Sequence, residues 1–353
     1  MTIPKVLMLG PSIDAQGGMV TVERNIIEAV KKNGDSIDFI STYEDAGKLR
    51  KLSIAGAAYT RYLTKLRGCD LVHIHMASRG SFDRKRMFMK AAFLRGKPVV
   101  VHMHGSEFGV WYEKECGEAK RVQIRKAFDG CAKLIVLSEE WRAFFIDNRI
   151  CDPGKIVVLH NAVEIPVRPV DVCARQDVLF LGRLGARKSP DTLLRAAKTV
   201  LKHHPQTRFR FGGDGDVAKY EALARELGIA DSCDFLGWTT GEQKEEAIRS
   251  CRVYCLPSRN EGMPMSVLEA MSYGLATIAT PVGGVPQVIQ DGANGYLIPI
   301  GDSDLLAQII DALLDDDALA ARIGAAGRKT IVDSFGMESF VRGLTHVYEE
   351  VSS

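Results

Sequence analysis

Residues 253–274 read VYCLPSRNEGMPMSVLEAMSYG, and the character of the chain changes twice within them. Val253-Tyr254-Cys255-Leu256 is an unbroken apolar run of strand length, as in a parallel strand covered on both faces. Pro264 suits the first position of a helix, where its missing N–H costs nothing. That helix should run to about Tyr273 and stop at Gly274, a natural C′ residue. Between strand and helix lies a Gly-Met-Pro corner, flanked by Glu261 and Glu269 eight positions apart. A surface helix does not need the corner, and a core does not want the charges. With open amides from Met263 to Ser266 and a positive dipole end, the helix start is an anion site. A capped surface helix with two unrelated acids is the competing reading.

The rest of the chain repeats this strand–corner–helix unit. Val6 to Leu9, Leu71 to Ile74, Pro98 to Val101 and Leu134 to Leu137 are short apolar runs. Helical patterns separate them, for example Val20 to Lys32 and Asp83 to Leu94. Such alternation implies right-handed βαβ units in a doubly wound sheet. The pattern restarts after Glu164-Ile165-Pro166-Val167-Arg168-Pro169, whose two prolines suit a linker. Strands are then expected at Val178–Leu181, Phe209–Phe211, Cys233–Leu236, Val253–Leu256 and Ala276–Ile278. Two α/β domains facing a central cleft follow, and in open α/β sheets ligands bind beyond the carboxyl ends of the strands. The last helix, about Met337 to Val351, carries Phe340, Leu344, Val347 and Val351 on one face, so it packs on something.

Composition sets outer limits. At 353 residues, with 46% hydrophobic and 25% charged content, the chain suits two soluble domains. No apolar stretch approaches the roughly 20 residues that span a bilayer, and the opening MTIPKVLMLG has no leader pattern. A cytoplasmic location is the expectation, with peripheral association at the inner face of the plasma membrane. The eight cysteines form no C-x-x-C pair, and Cys251 and Cys255 read as buried free thiols on one strand face. Net charge is +2, but residues 1–165 hold 26 Lys/Arg against 19 Asp/Glu, which points to an anionic partner for the first half.

Further motifs fall at other strand ends. Arg183 and Lys188 leave the loop after Leu181-Gly182, before a helix beginning near Pro190; an Arg fork and a Lys point charge together suit a diphosphate. Gly17-Gly18 at a helix entrance lets backbone amides approach a phosphate, although a plain turn fits as well. His102 and His104 share one side of a strand, and His73 and His75 repeat the His-x-His pattern; with no third ligand evident, no metal is assigned. Asp214-Gly215-Asp216 could chelate Mg²⁺, but Asp216 as the cap of a helix through Leu227 is preferred. Asp315-Asp316-Asp317 reads as a solvated turn. From Lys48 to Arg67 the chain holds six basic residues and no acid, with Arg79, Arg84, Lys85 and Arg86 nearby. Such a segment is either a solvated helix face or a surface for an anionic membrane. Nucleic acid is not expected, because no recognised binding module accompanies the charge.

Together these residues resemble family 4 of the retaining glycosyltransferases, with the GT-B fold of two Rossmann-like domains. The resemblance runs from Gly17-Gly18 to the closing helix. It is most specific at the E-x7-E pair, Glu261 and Glu269, followed by EAMSYGLATIATPVGGVPQVIQDGANGYLIP. Arg183 and Lys188 match the family's phosphate clamp, and Phe235-Leu236-Gly237 and His104-Gly105 fall in the expected order. The resemblance implies that Glu269 binds the donor ribose and that Arg183 and Lys188 bind its diphosphate. Amides of Gly17, Gly18, Gly262, Met263, Pro264's neighbours Met265 and Ser266 would complete the phosphate site, at the corner that holds Pro264. Glu261 and His104 would face the donor sugar, and Gly237 and Trp238 would lie by the base.

It further implies a metal-independent enzyme without cofactor, a nucleotide-diphospho-sugar as co-substrate (a UDP-sugar on family frequency), and a saccharide acceptor. A lipid-linked acceptor in surface-polysaccharide synthesis is the expectation. The domains expected are residues 1–163 for the acceptor, with helix 336–353 packing back on them, and 164–335 for the donor. Ser189, where the family often has Gly, and Gln287, where it often has Glu, are departures. A sugar-nucleotide 2-epimerase of the same fold class, or a catalytically silent membrane-docked nucleotide-sugar binder, is the alternative.

Overall fold

A computed structural model describes residues 3–43 and 48–352, with the side chains of residues 48–53 outside that set. Residues through Ala162, together with the closing helix Met337–Ser352, form one compact unit, and Val163–Gly336 form another.

In the first unit the strands are β1 (Val6–Gly10), β2 (Asp38–Ser41), β3 (Leu71–Met76), β4 (Val99–Met103), β5 (Lys133–Val136) and β6 (Ile156–Val158). In the second they are β7 (Asp177–Leu181), β8 (Phe209–Gly212), β9 (Cys233–Gly237), β10 (Cys251–Leu256), β11 (Ala276–Ala279) and β12 (Tyr296–Leu297). Among the described residues they make two six-stranded sheets, ordered β2-β1-β3-β4-β5-β6 and β12-β11-β10-β7-β8-β9. Every neighbouring pair runs parallel. The strand order reverses between β1 and β3 in one sheet and between β7 and β10 in the other. These are the switch points at which doubly wound sheets open a crevice.

Central strands are buried along their whole length, as in β1, β3, β4 and β10, because helices cover both faces. This is why they read as plain apolar runs. The strands missing from the sequence reading, β2, β6 and β12, are short, and each stands at a sheet edge. Asp38-Phe39-Ile40-Ser41 buries only Ile40, so it carries no run of apolar residues to detect.

On the closing helix Phe340, Leu344, Val347 and Tyr348 are buried, while Val351 is half-buried. The helix packs against the Gly18–Lys32 helix and β3. On the helix Lys48–Lys65, Ala58 and Tyr62 are buried within its own unit, as is Leu66 just after it, and the Tyr62 hydroxyl donates to the Phe88 carbonyl at 2.9 Å. Lys48, Arg50 and Lys51 lie outside the described side chains. Of the remaining basic residues, Arg61 and Arg67 are exposed, and Lys65 pairs with Asp38 at 2.5 Å. Lys85 adds nothing to the surface charge, since it is only 1% exposed. No described helix is long and apolar enough to cross a membrane. All eight cysteines are free, and Cys251 and Cys255 are buried as expected.

Candidate donor site

The loop after β10 and the loop after β7 meet at the switch point of the second sheet. Glu261, 6% exposed, lies with Oε1 2.6 Å from Lys188 Nζ, an ion-pair contact off the direction of a good hydrogen bond. On its other side Arg187 Nη1 donates to Oε2 at 3.2 Å and to the Asn260 carbonyl at 2.9 Å. Arg259 ties the two loops together, its amide donating to the Arg187 carbonyl at 2.8 Å and its Nε to Ser189 Oγ at 2.9 Å. Burial alone would raise the Glu261 carboxyl. The Lys188 ammonium and Arg187 guanidinium outweigh it and hold that carboxyl below its usual range. Burial pulls the Lys188 ammonium down, and Glu261 restores only part of the loss.

The Glu261–Gly262 corner is kept sharp by the glycine pair downstream. The Gly284 amide donates to the Gly262 carbonyl at 2.6 Å. Gly283 sits at φ +57°, and a Cβ there would lie 2.1 Å from the Glu261 carbonyl oxygen. Only glycine fits that approach. The helix that follows is Met265–Ser272, one residue later than expected, with Pro264 at the cap rather than the first turn. Val267 and Leu268 make the first amide bonds back to the Pro264 carbonyl. The amides of Met265 and Ser266 precede those bonds and stand at the positive end of the helix. Tyr273 closes the helix and Gly274 follows at φ +85°.

Other expected residues have different surroundings. Arg183 is 71% exposed along its side chain and lies 3.6 Å from Asp214. Asp214 thus has a cation beside it, and Asp216 occupies the cap of the Val217–Leu227 helix without a side-chain bond to it. Glu269 Oε1 accepts from Lys244 Nζ at 2.7 Å. Lys244 and Arg187 are contacts the sequence reading lacked; Arg187 stands beside Lys188, and only the β7–β10 pairing brings it to Glu261. Trp238 and Gly237, the latter at φ +68°, stand at the end of β9. Ser189 occupies a left-handed conformation at φ +48°, the physical reason glycine suits that position. Gln287 is exposed. Asp316 caps the helix Asp317–Ser334 through the Leu319 amide.

In the first unit, Gly17 and Gly18 open the Gly18–Lys32 helix, and added Cβ atoms there would meet nothing within 4 Å. His104 follows β4 and is half-buried. Its Nε2 lies 2.8 Å from His75 Nδ1, and its ring centre is 4.1 Å from that of His102. Register pairs His75 with His102 across β3 and β4. Burial holds His73, His75, His102 and His104 neutral, with His73 pushed down to about 3. The two His-x-His patterns, separate in sequence, thus form one buried cluster.

Comparison with known proteins adds the family. A model described as Glycosyltransferase Family 4 matches residues 16–165, and one described as Glycosyl transferases group 1 matches residues 174–330. A D-inositol 3-phosphate glycosyltransferase of Streptomyces scabiei is 32% identical over 64% of this chain and 55% of its own length. A second protein of that description, from Streptomyces avermitilis, is covered over 65% of its length. The chain therefore spans a little over half to about two thirds of these relatives. The Escherichia coli UDP-Gal:alpha-D-GlcNAc-diphosphoundecaprenol alpha-1,3-galactosyltransferase is 28% identical over 81% of this chain and 76% of its own length. In fold, Anabaena Alr3699/HepE, solved in complex with UDP, superposes with a TM-score of 0.77 at 18% identity, over 98% of this chain and all of that one. Two parallel six-stranded sheets, a corner carrying the E-x7-E pair and matches across both units make this chain a member of glycosyltransferase family 4 with the GT-B fold.

Proposed function

We propose that the chain moves a sugar, with retention of anomeric configuration, from a nucleotide-diphospho-sugar to a lipid-linked saccharide in building a surface polysaccharide. UDP is the expected carrier, as for the E. coli relative and in the HepE complex. The observation that carries the reading is the Lys188–Glu261–Arg187 cluster beside the start of the Met265–Ser272 helix. Two cations against one carboxylate leave a net positive charge next to open helix amides, which suits a diphosphate.

Glycosyl transfer needs the leaving nucleoside diphosphate stabilised as its bond to C1 breaks. Lys188, Arg183 and the corner amides supply fixed positive potential there, and Arg187 is added to that set. Losing one such contact is expected to lower kcat about 10²–10³-fold, or about 3–4 kcal/mol of barrier. Glu269 is assigned to the ribose, Trp238 and Gly237 to the base side, Glu261 and His104 to the donor sugar, and Gly17 and Gly18 to the phosphates. In this account the side-chain and amide charges serve the diphosphate without a metal ion.

The experiment is transfer from UDP-sugars to a lipid-diphosphate saccharide in EDTA, with the product's anomeric configuration read by NMR. Retained configuration supports the reading, and an inverted product contradicts it. Sugar isomerised without acceptor would favour the epimerase, and binding without turnover the silent binder.

Approach to an anionic membrane at the cytoplasmic face would rest on charge, through Arg61, Arg67 and their neighbours. The described apolar residues Ala58 and Tyr62 of the Lys48–Lys65 helix are buried in the core of its own unit.

A further inference from the structure

Six side-chain polar atoms without a hydrogen-bond partner gather in one buried place of the first unit. They are His73 Nε2, His75 Nε2, both ring nitrogens of His102 and both carboxylate oxygens of Glu23. All four residues are fully buried. Buried polar groups are ordinarily bonded, so a group of orphans in contact calls for an occupant. The space for Glu23 is built in: a Cβ on Gly10 would lie 2.2 Å from its Oε1, so only glycine at the end of β1 admits the carboxylate.

We infer that His73, His75 and His102 form a binding site for a borderline divalent transition ion of the Zn²⁺ class. One nitrogen from each of the three lies within 4.8 Å of the others. Tetrahedral Zn–N bonds of about 2.05 Å place nitrogens about 3.3 Å apart, so the rings, whose planes lie 12–32° apart, must both move inward and turn to complete the site. The outer contacts have the form that imidazole ligands use. His73 Nδ1 lies 2.6 Å from the Tyr348 hydroxyl, and His75 Nδ1 lies 2.8 Å from His104 Nε2. In His73 and His75 one nitrogen is thereby held and Nε2 is left open, which fixes orientation for a metal, while both nitrogens of His102 are open. Glu23 Oε1 is 4.0 Å from His75 Nδ1, which puts a carboxyl group at the edge of the cluster. Lys85, itself buried, donates to the His75 carbonyl. Imidazole nitrogens favour Zn, Cu, Ni or Co over the oxygen-seeking Mg²⁺ and Ca²⁺. Half-buried His104, stacked on His75 and tilted against His102, is the most exposed of the four histidines.

The test uses the 353-residue chain, stripped with chelator, then loaded with Zn²⁺ or Co²⁺ and desalted. The expected result is one ion per chain by mass spectrometry, with Co²⁺ giving the intense visible absorption of a tetrahedral nitrogen site. His102→Leu should lose the ion, and Tyr348→Phe should weaken it about 10–100-fold as a lost outer contact does. A second place on the surface, where His203 and His204 face Asp311 and Asp315, serves as control. Failure of the wild-type protein to retain Zn²⁺ or Co²⁺ overturns the inference and leaves the orphans to water. So does binding that survives His102→Leu but is lost in the His203→Ala/His204→Ala double variant. The wild-type measurement stands even where His102→Leu does not fold.

Discussion

Replacing Glu261 by Gln keeps its shape and removes its charge, and the structure says what should follow. Lys188 loses a carboxylate 2.6 Å away while its side chain stays only 11% exposed. Breaking a buried pair by removing one partner costs about 3–5 kcal/mol, because the remaining charge is stranded. Arg187 is 36% exposed along its side chain and can turn to water, so its share is small. For a unit the size of Val163–Gly336, the loss corresponds to a fall of about 6–20 °C in Tm.

The loss should also depend on pH with a definite sign. In the variant, burial without a partner depresses the folded pKa of Lys188 below its unfolded value of about 10.4. Between the two values the unfolded chain binds more protons, so stability rises with pH. The deficit should therefore be largest near neutral pH and shrink toward pH ~10. In the wild type, the depressed Glu261 carboxyl contributes stability above its unfolded pKa, and that contribution is lost as pH falls through the folded value. The assay is calorimetry of Glu261→Gln against wild type from neutral to alkaline pH. Equal melting temperatures, or a deficit that grows with pH, would refute the buried-pair account.

Other expectations follow from single contacts. Glu269→Ala should weaken UDP binding about 10–150-fold by calorimetry, the worth of a lost charge-assisted hydrogen bond. Glu261→Gln should instead lower kcat with nucleotide affinity nearly kept, and equal effects of the two on affinity would sink that division of roles. Gly283→Ala would drive a Cβ onto the Glu261 carbonyl, so unfolding and UDP titrations should show lost stability and weaker binding together. Sedimentation with anionic vesicles should fall as salt shortens the Debye length to about 3 Å at 1 M, and neutral vesicles should not bind at any salt.

How far the sequence could be read varied with the kind of signal. Central strands such as β10 announce themselves by continuous burial, whereas β2, with only Ile40 buried, does not. Glu261 and Lys188 were each legible as part of an anion site from the local strand–turn–helix pattern. Their contact with each other, and the entry of Arg187, depend on β7 lying beside β10, a pairing of segments more than 70 residues apart. Lys244 had no local signal, because one Lys among Glu242, Gln243, Glu245 and Glu246 looks like any solvated helix face. The histidines show the same limit. Alternation put each His-x-His pair on one side of its strand, but the His75–His102 register that joins them is a long-range fact.

The central claim is that the second unit's switch point holds a nucleoside diphosphate through side-chain and amide charges. The most direct measurement is the melting temperature of the wild-type protein with UDP, GDP and ADP in turn, each with and without EDTA. A bound nucleotide at 100 times its Kd should add about 2.7 kcal/mol of stability. The account predicts a shift with one nucleotide, UDP foremost, that EDTA leaves unchanged. No shift with any of the three, or a shift abolished by EDTA, would contradict it.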